Sequence, residues 1–331
     1  MSMMNKSVGI IGTGSFAPDN VVTNFDMEKI VDTSDQWIRE RTGIEERRIA
    51  PDDMTTSFMA TQAAKKALEA AKLTAEDIDL IIVATLTPDT YIPSTACRVQ
   101  EALGAVNAAA FDLGAACSGF VYGLNNAAAM INAGMAKHAL VIGAEKLSSV
   151  LNWKDRSTCV LFGDGAGAAV LSQVEEGYGI QGVDMGADGR GGDSLIIPSG
   201  GSACPRTDAT VEDGSAFVHM DGPEVYKFAV KVMGRTALNA LEDAGMELDQ
   251  LDFFVPHQAN KRIIDSAAKR LNLDESKVMV NVNKYGNTSG ASVGIALDEA
   301  VREGRIKRGD NVAMAGFGAG LTWAGLVMKW F

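Results

Sequence analysis

Only three histidines and four cysteines occur in the 331 residues, and no two cysteines form a C-x-x-C pair. Cys97, Cys117, Cys159 and Cys204 lie far apart, and His138, His219 and His257 are as scattered. That spacing excludes a zinc-finger arrangement and leaves no metal site to expect. No basic segment followed by an apolar stretch opens the chain, because the first apolar run, Val8 to Ile11, ends at once in Gly12-Thr13-Gly14. Nothing there reads as an export signal, so a cytoplasmic location with reduced thiols is expected, and one thiol is available as a nucleophile. Long hydrophobic runs are missing too. Asp112, Asn125-Asn126 and Asp164 break the apolar regions short of the ~20 residues that a membrane-crossing helix needs. Basic residues are the minority, 30 against 42 acidic, for a net charge of -12. A diffuse acidic surface disfavours a nucleic-acid partner, so any basic docking face must be local.

What is present is a chain with 47% hydrophobic residues, enough for a large core. Runs rich in Val, Ile and Ala alternate with helix-like stretches, the pattern of an α/β fold with buried sheets. The order also repeats. An amphipathic stretch, Thr56 to Ala71, leads into the strand-like Ile78 to Val83 and then Pro88; another, Lys227 to Ala244, leads into Leu251 to Val255 and then Pro256. A further helix follows each, then a short strand (Ala109 to Leu113; Val278 to Val282), then a glycine-containing turn with Cys117-Ser118-Gly119 or Thr288-Ser289-Gly290. Both halves close on a helix and a strand, Ala139 to Ala144 and Asn311 to Gly316. Two fused copies packed back to back would bring the paired turns together. The stretch from Asp184 to Asp213, rich in Gly, Ser, Asp and Pro, reads as a long surface excursion.

Three residues at these turns carry chemistry. Cys117 is placed to open the long apolar helix Cys117 to Met130, where free N–H groups and the positive end of the helix dipole favour the thiolate. Alone, such a cysteine is more often inert packing. Cys97 lies in a helix-like run, Cys159 begins a strand, and Cys204 precedes Pro205 in a loop, so none of them competes. His257 stands just off the end of the buried strand Phe253 to Pro256, where α/β folds present side chains to a ligand crevice; a structural histidine fits there equally. Asn287, within Gly286-Asn287-Thr288, reads singly as a turn residue. Facing Cys117, it and His257 supply two N–H donors for a developing enolate oxygen.

Ala115-Ala116-Cys117-Ser118-Gly119-Phe120, Val255-Pro256-His257-Gln258-Ala259-Asn260 and Tyr285-Gly286-Asn287-Thr288-Ser289 are specific motifs. With the glycine-rich Phe162 to Ala168 and Gly316 to Gly320, they make the chain resemble β-ketoacyl-acyl-carrier-protein synthase III over essentially its whole length. The resemblance implies a thiolase-like fold: two pseudo-duplicated αβ halves, residues 1–175 with the cysteine and 176–331 with the histidine and asparagine, forming a layered α-β-α-β-α core. The implied reaction is a decarboxylative Claisen condensation of an acyl-CoA primer, acetyl-CoA, with malonyl-acyl-carrier protein. It gives 3-oxoacyl-acyl-carrier protein, CoA and carbon dioxide, initiates fatty acid biosynthesis, and uses neither metal nor redox cofactor.

Carried over residue by residue, the resemblance makes Cys117 the acyl-carrying nucleophile and His257 and Asn287 the donors to the malonyl thioester oxygen. The backbone N–H groups of Cys117 and Gly318 form the oxyanion hole. Thr33, Trp37, Arg41, Arg156, Gly222 and Asn260 hold CoA, with Trp37 and Arg156 on opposite faces of the adenine and Arg41 on a phosphate. Arg262, Lys269 and Arg270, with Lys261, recur at helical spacing and form the docking face for the acidic carrier. Phe317 shapes the acyl pocket, as does Ile92, on a loop (Thr87 to Pro93) that reaches across a homodimer interface.

Rival readings are separated by what is missing. Thiolases use a second cysteine near the C-terminus, and none follows Cys204; elongating synthases use a second histidine where Asn287 stands. Polyketide- or quinolone-type condensing enzymes share Cys, His and Asn, and the Trp37 and Arg41 segment favours the initiating synthase. A non-catalytic partner subunit would have lost the nucleophile. Gly12-x-Gly14-x-x-Ala17 imitates a dinucleotide fingerprint, but Pro18 interrupts the helix that such a site requires.

Overall fold

Two sheets alternate with three helical layers, an order dictated by where the apolar side chains fall. The computed structural model describes residues 7–331. The first sheet contains β1 (Val8–Phe16), β2 (Leu80–Ala84), β3 (Ala109–Leu113), β4 (His138–Glu145) and β5 (Gly165–Gln173), in the order β1-β5-β4-β2-β3. The second contains β6 (Gly179–Ala187), β7 (Phe253–Pro256), β8 (Asn311–Gly318) and β9 (Thr322–Lys329), in the order β7-β8-β9-β6. Strand β2 runs parallel to β3 and β4, and β7 parallel to β8, while the other pairs are antiparallel. The second sheet thus repeats β2-β4-β5-β1 strand for strand.

Seven helices matter here: α1 (Asp35–Thr42), α2 (Thr56–Ala71), α3 (Thr95–Leu103), α4 (Gly119–Asn132), α5 (Gly222–Asp243), α6 (Lys261–Arg270) and α7 (Ser292–Arg302). Helices α2 and α3 cover the outer face of the first sheet, and α5 and α6 the outer face of the second. Between the sheets lie α4 and α7, whose Phe120, Leu124, Val293 and Leu297 share one cluster with Ile82, Val141, Val255 and Met314. Each such buried side chain contributes about 1.5–3 kcal/mol. Together the layers give the α-β-α-β-α order that the family resemblance implies. Strands with a helix layer on both faces carry apolar residues almost continuously, as β2 and β4 do.

Close approach explains two glycine pairs. Strand β1 runs through Gly12 and Gly14 without a turn, and a Cβ on Gly12 would collide with the Ala67 carbonyl of α2. These glycines seat a helix and form no phosphate loop, which disposes of the dinucleotide reading. In the middle layer, a Cβ on Gly167 would overlap the backbone of Gly294, so α7 sits backbone-to-backbone on β5.

Four local expectations are corrected. Val278 to Val282 forms no strand, only a bridge from Val278 to Phe254. Gln258 explains this: its amide donates to Met279 O and its carbonyl accepts from Asn281 N and Val282 N, so a side chain takes the place of a ladder. The excursion from Asp184 to Asp213 is partly regular, since Asp184 to Ala187 complete β6 and Leu195–Ile196 pair with His219–Met220. Cys159 ends the short helix Arg156–Cys159 and is buried, rather than opening a strand. Helix α5 starts at Gly222, ahead of Lys227, because Asp221 caps it and Pro223 suits its first turn.

Replacing Gly167 with Ala is expected to destabilise the protein by about 3 kcal/mol, because backbone on both sides leaves the methyl nowhere to go. Urea denaturation reads this directly, and an unchanged midpoint would show that α7 is not seated on β5.

Candidate active site

Both central helices begin in the same unusual way. A three-residue 3-10 turn precedes each, Ala116–Ser118 before α4 and Ser289–Ala291 before α7. Each turn opens on a non-glycine residue with positive φ, Ala116 at 45° and Ser289 at 47°, a conformation costing roughly 1–2 kcal/mol. The structural match therefore sets Cys117 against Gly290, two positions beyond the Cys117 to Thr288 alignment of the sequence repeat. The corners touch: a Cβ on Gly143 would overlap the carbonyl of Gly290, and one on Gly318 would stand 2.6 Å from Cys117 N. Only glycine lets strand β8 come so near the Cys117 amide.

Cys117 lies inside the 3-10 turn, so the helix itself starts two residues later than expected. Neither α4 nor α7 has a side-chain cap, whereas α2, α3, α5 and α6 all do; the 3-10 turns take that role, with Gly119 N donating to Ala116 O and Ser292 N to Ser289 O. The Cys117 thiol is buried and donates to Ser289 Oγ at 3.3 Å. Burial pushes it up to about 12; the Ser289 contact works against this and the nearby Glu145 carboxyl adds to it. Desolvation outweighs the thiolate-favouring helix terminus that the sequence suggests.

His257 is held on three sides. Its backbone N–H donates to Ala315 O at 2.7 Å, its ring meets Phe317 edge-on at 5.3 Å, and Nδ1 lies 2.6 Å from Ser292 Oγ. Burial pulls the imidazole down to about 3, so it is neutral at pH 7 and carries one N–H. Ser292 Oγ, which also accepts from Gln258 N at 3.4 Å, is the partner of Nδ1, so Nε2 is the ring nitrogen left for the cavity. For Nε2 to donate there, the Ser292 hydroxyl must donate to Nδ1. Asn287 is fixed likewise: its N–H donates to Leu161 O, its carbonyl accepts from Gly163 N, and its side-chain Oδ1 accepts from Ser289 N at 2.8 Å. That leaves the Nδ2 amide as its free donor.

Cys117, His257 and Asn287 all line one cavity of about 440 Å³, and so do Arg41, Gly222, Asn260, Arg262, Phe317 and Gly318. Trp37 stands beside it, with the Arg41 guanidinium 5.0 Å and that of Arg156 5.3 Å from its ring centre. Asn260 is already engaged at both ends: Oδ1 caps α6 at Arg262 N, and Nδ2 donates to Arg41 O. Thr33 lies just ahead of α1, and its buried hydroxyl has no partner among the described residues. A second cavity of about 220 Å³ opens on the other side of Cys117, walled by Leu86, Leu147, Phe162, Leu195, Ile197 and Val218. Ile92 lines neither cavity and is 85% exposed. Lys269 and Arg270 lie at the end of α6 remote from Arg262, Lys269 on a separate groove and Arg270 against Gly234 of α5.

Sequence reasoning missed Ser289, Ser292, Gln258 and Glu145, which hold the three central side chains or touch their partners. Glu145 carried a signal, as the one charge closing the otherwise apolar strand β4. Ser289 and Ser292 carried none beyond their neighbours.

A neutral His257 should show in ¹⁵N spectra. Because burial penalises the imidazolium, its shifts should stay constant from about pH 8 down to about pH 5, in a range where a free histidine titrates. A midpoint near the ordinary value, about 6.5, would refute the neutral assignment.

The models of 3-oxoacyl-acyl-carrier-protein (ACP) synthase III match residues 111–189, and those of its C-terminal part residues 241–330. A β-ketoacyl-acyl-carrier-protein synthase III from Caldanaerobacter subterraneus is 58% identical over 98% of both chains. The crystal structure of 3-oxoacyl-acyl-carrier-protein synthase III from Aquifex aeolicus superposes with a TM-score of 0.90 at 50% identity, covering 98% of this chain and 100% of that one. A priming β-ketosynthase of a polyketide biosynthetic pathway gives the same TM-score at 39% identity, covering 100% of this chain and 98% of that one. A cavity that joins a buried thiol to two fixed N–H donors thus lies in a fold and a sequence shared along nearly the whole chain, which belongs to the β-ketoacyl-acyl-carrier-protein synthase III family.

Proposed function

We propose that this chain condenses an acyl-CoA primer, acetyl-CoA, with malonyl-acyl-carrier protein to give 3-oxoacyl-acyl-carrier protein, CoA and carbon dioxide, the first step of fatty acid biosynthesis. The observation that carries the reading is the single cavity lined by Cys117, His257 and Asn287, with a neutral imidazole and the Nδ2 amide as its side-chain donors. Cys117 attacks the primer thioester, and the backbone N–H groups of Cys117 and Gly318 receive the oxyanion. CoA leaves. Malonyl-acyl-carrier protein then presents its thioester oxygen to His257 and Asn287, and their hydrogen bonds hold the enolate as carbon dioxide departs. A neutral imidazole suits this step, because it donates without offering the carbanion an acidic imidazolium proton. The enolate attacks the acyl group on Cys117, and the thiolate is released.

The smaller apolar cavity beside Cys117 fits the primer's acyl chain. Arg41, Trp37 and Arg156 form the entrance for CoA. A ring between Trp37 and Arg156 needs roughly 7 Å, two van der Waals contacts, against the 5.3 Å present, so Arg156 must swing away from the Asp32 carbonyl that holds it at 2.7 Å. Arg262 and Lys269 are seven residues apart on one exposed face of α6, with Asp265 between them neutralised by Lys261 at 2.7 Å. That face suits an acidic carrier. A homodimer is supported by β3, an edge strand with Phe111 exposed, and by Tyr91 and Ile92, which are more exposed still.

Intact-mass analysis after acetyl-CoA treatment should find one acetyl group on the wild type and none on Cys117→Ala; an adduct that survives in the variant would end the proposal. For docking, Lys269→Glu is cleaner than any change at Arg262, which also lines the CoA cavity. It should raise the apparent KM for malonyl-acyl-carrier protein about tenfold while leaving that for acetyl-CoA unchanged. Equal rises in both would remove docking from α6.

A further inference from the structure

Three acidic side chains are almost wholly buried: Glu145, Asp164 and Asp298. Two are struts. Asp164 accepts from Ser148 and from Ala50 N, and Asp298 accepts from Thr13 and Ser15 and pairs with Arg302. Glu145 differs, because its contacts lead to the nucleophile. Cys117 Sγ–H donates to Ser289 Oγ at 3.3 Å, and Ser289 Oγ–H donates to Glu145 Oε1 at 3.2 Å. The other carboxylate oxygen accepts from Thr87 Oγ1 at 2.6 Å and from Thr85 Oγ1 at 3.4 Å, with Leu86 N shared between the two. Among the described residues no cation pairs with it; Lys146, its chain neighbour, turns its ammonium away to the carbonyls of Pro51, Asp52 and Met54. His257, the other titratable group at this corner, is turned to Ser292.

We propose that Glu145 is the proton acceptor for Cys117, acting through the Ser289 hydroxyl. The inference rests on the acyl-enzyme reading of Cys117 and supplies the step it lacks, since a desolvated thiol needs somewhere to send its proton. As Sγ bonds to the thioester carbon, its proton passes to Ser289 Oγ while the Ser289 proton passes to the Glu145 carboxylate. The carbonyl electron pair moves to oxygen and returns as CoA leaves with the C–S electrons, taking a proton from water. Glu145 keeps its proton through the acyl-enzyme stage. When condensation expels the Cys117 thiolate, the proton returns along the same path.

Electrostatics favours this route over loss of the proton to solvent. A thiolate beside an ionised Glu145 would bury two negative charges, whereas transfer along the chain keeps the total at one. Burial raises Glu145 to about 7, with the Thr87 and Leu86 hydrogen bonds opposing, so the carboxylate titrates close to neutral pH and can both take and return a proton.

Glu145 is a positioning residue in this scheme, and the pH profile of acylation separates it from a strut. Acetylation of Cys117 by acetyl-CoA, followed by quench and intact mass from about pH 5.5 to about pH 9.5, should fall below about pH 7 in the wild type and level off above it. In Glu145→Gln the plateau should vanish, leaving a rate about 10²-fold lower at neutral pH that climbs about tenfold per pH unit, with acetyl-CoA affinity unchanged. Ser289→Ala, which leaves the carboxylate in place, should behave the same way and decides the matter should the first variant fail to fold. A wild-type profile in Ser289→Ala, or in a folded Glu145→Gln, overturns the relay while leaving the acyl-enzyme standing. An adduct that persists in Cys117→Ala overturns the acyl-enzyme itself.

Discussion

The structure depends on one contact, the meeting of two strand-to-helix corners with no side chain between them. Gly143 against Gly290, Gly167 against Gly294, and Gly318 against the Cys117 amide each bring backbone to within van der Waals reach of backbone. A methyl at any of these points would wedge the central layer apart. Because α4 and α7 are clamped at their first turns, the 3-10 turns that open them converge on one small volume, which Cys117 and Ser289 both line. The two turns also share a strained opening residue, Ala116 or Ser289, a cost that only the surrounding contacts can hold in place.

Desolvation gives this volume its chemical character. It drives the imidazole of His257 to the neutral form, lifts the thiol of Cys117 and lifts the carboxyl of Glu145, so each of the three is pushed toward its uncharged state. Such a site is poorly suited to hold separated charges and well suited to move one proton or one developing negative charge among fixed donors. Its donors are fixed by neighbouring side chains and backbone: Ser292 orients His257, the Ser289 amide orients Asn287, and Gln258 pins the loop from Met279 to Val282. Asn260 extends the same economy to the entrance, capping α6 and holding the Arg41 backbone with a single side chain.

Where the two halves differ, a side chain has taken over from a strand. The first sheet keeps β3 at its edge, and its exposed Phe111 leaves that edge open to pairing. The second half has only the Val278 bridge there, because Gln258 satisfies the local backbone groups. The repeat is therefore closest at the centre, where the cavity lies, and loosest at the periphery.

The layer order followed only from the family resemblance, while the sequence by itself determined the alternation of strands and helices, its repetition in two halves, and the turns bearing Cys117, His257 and Asn287. These are written in hydrophobic periodicity and in short motifs that need no distant partner. It misplaced the match between the two turns by two residues and read Val278 to Val282 as a strand, because composition does not show which hydrogen bonds a segment will find. Only the tertiary structure decided that Glu145 lies two hydrogen bonds from Cys117, across 28 residues of chain in one direction and by way of Ser289, 172 residues off, in the other. It also decided that the thiol is raised rather than lowered. Both follow from burial, a property of the assembled layers that no local stretch of sequence carries.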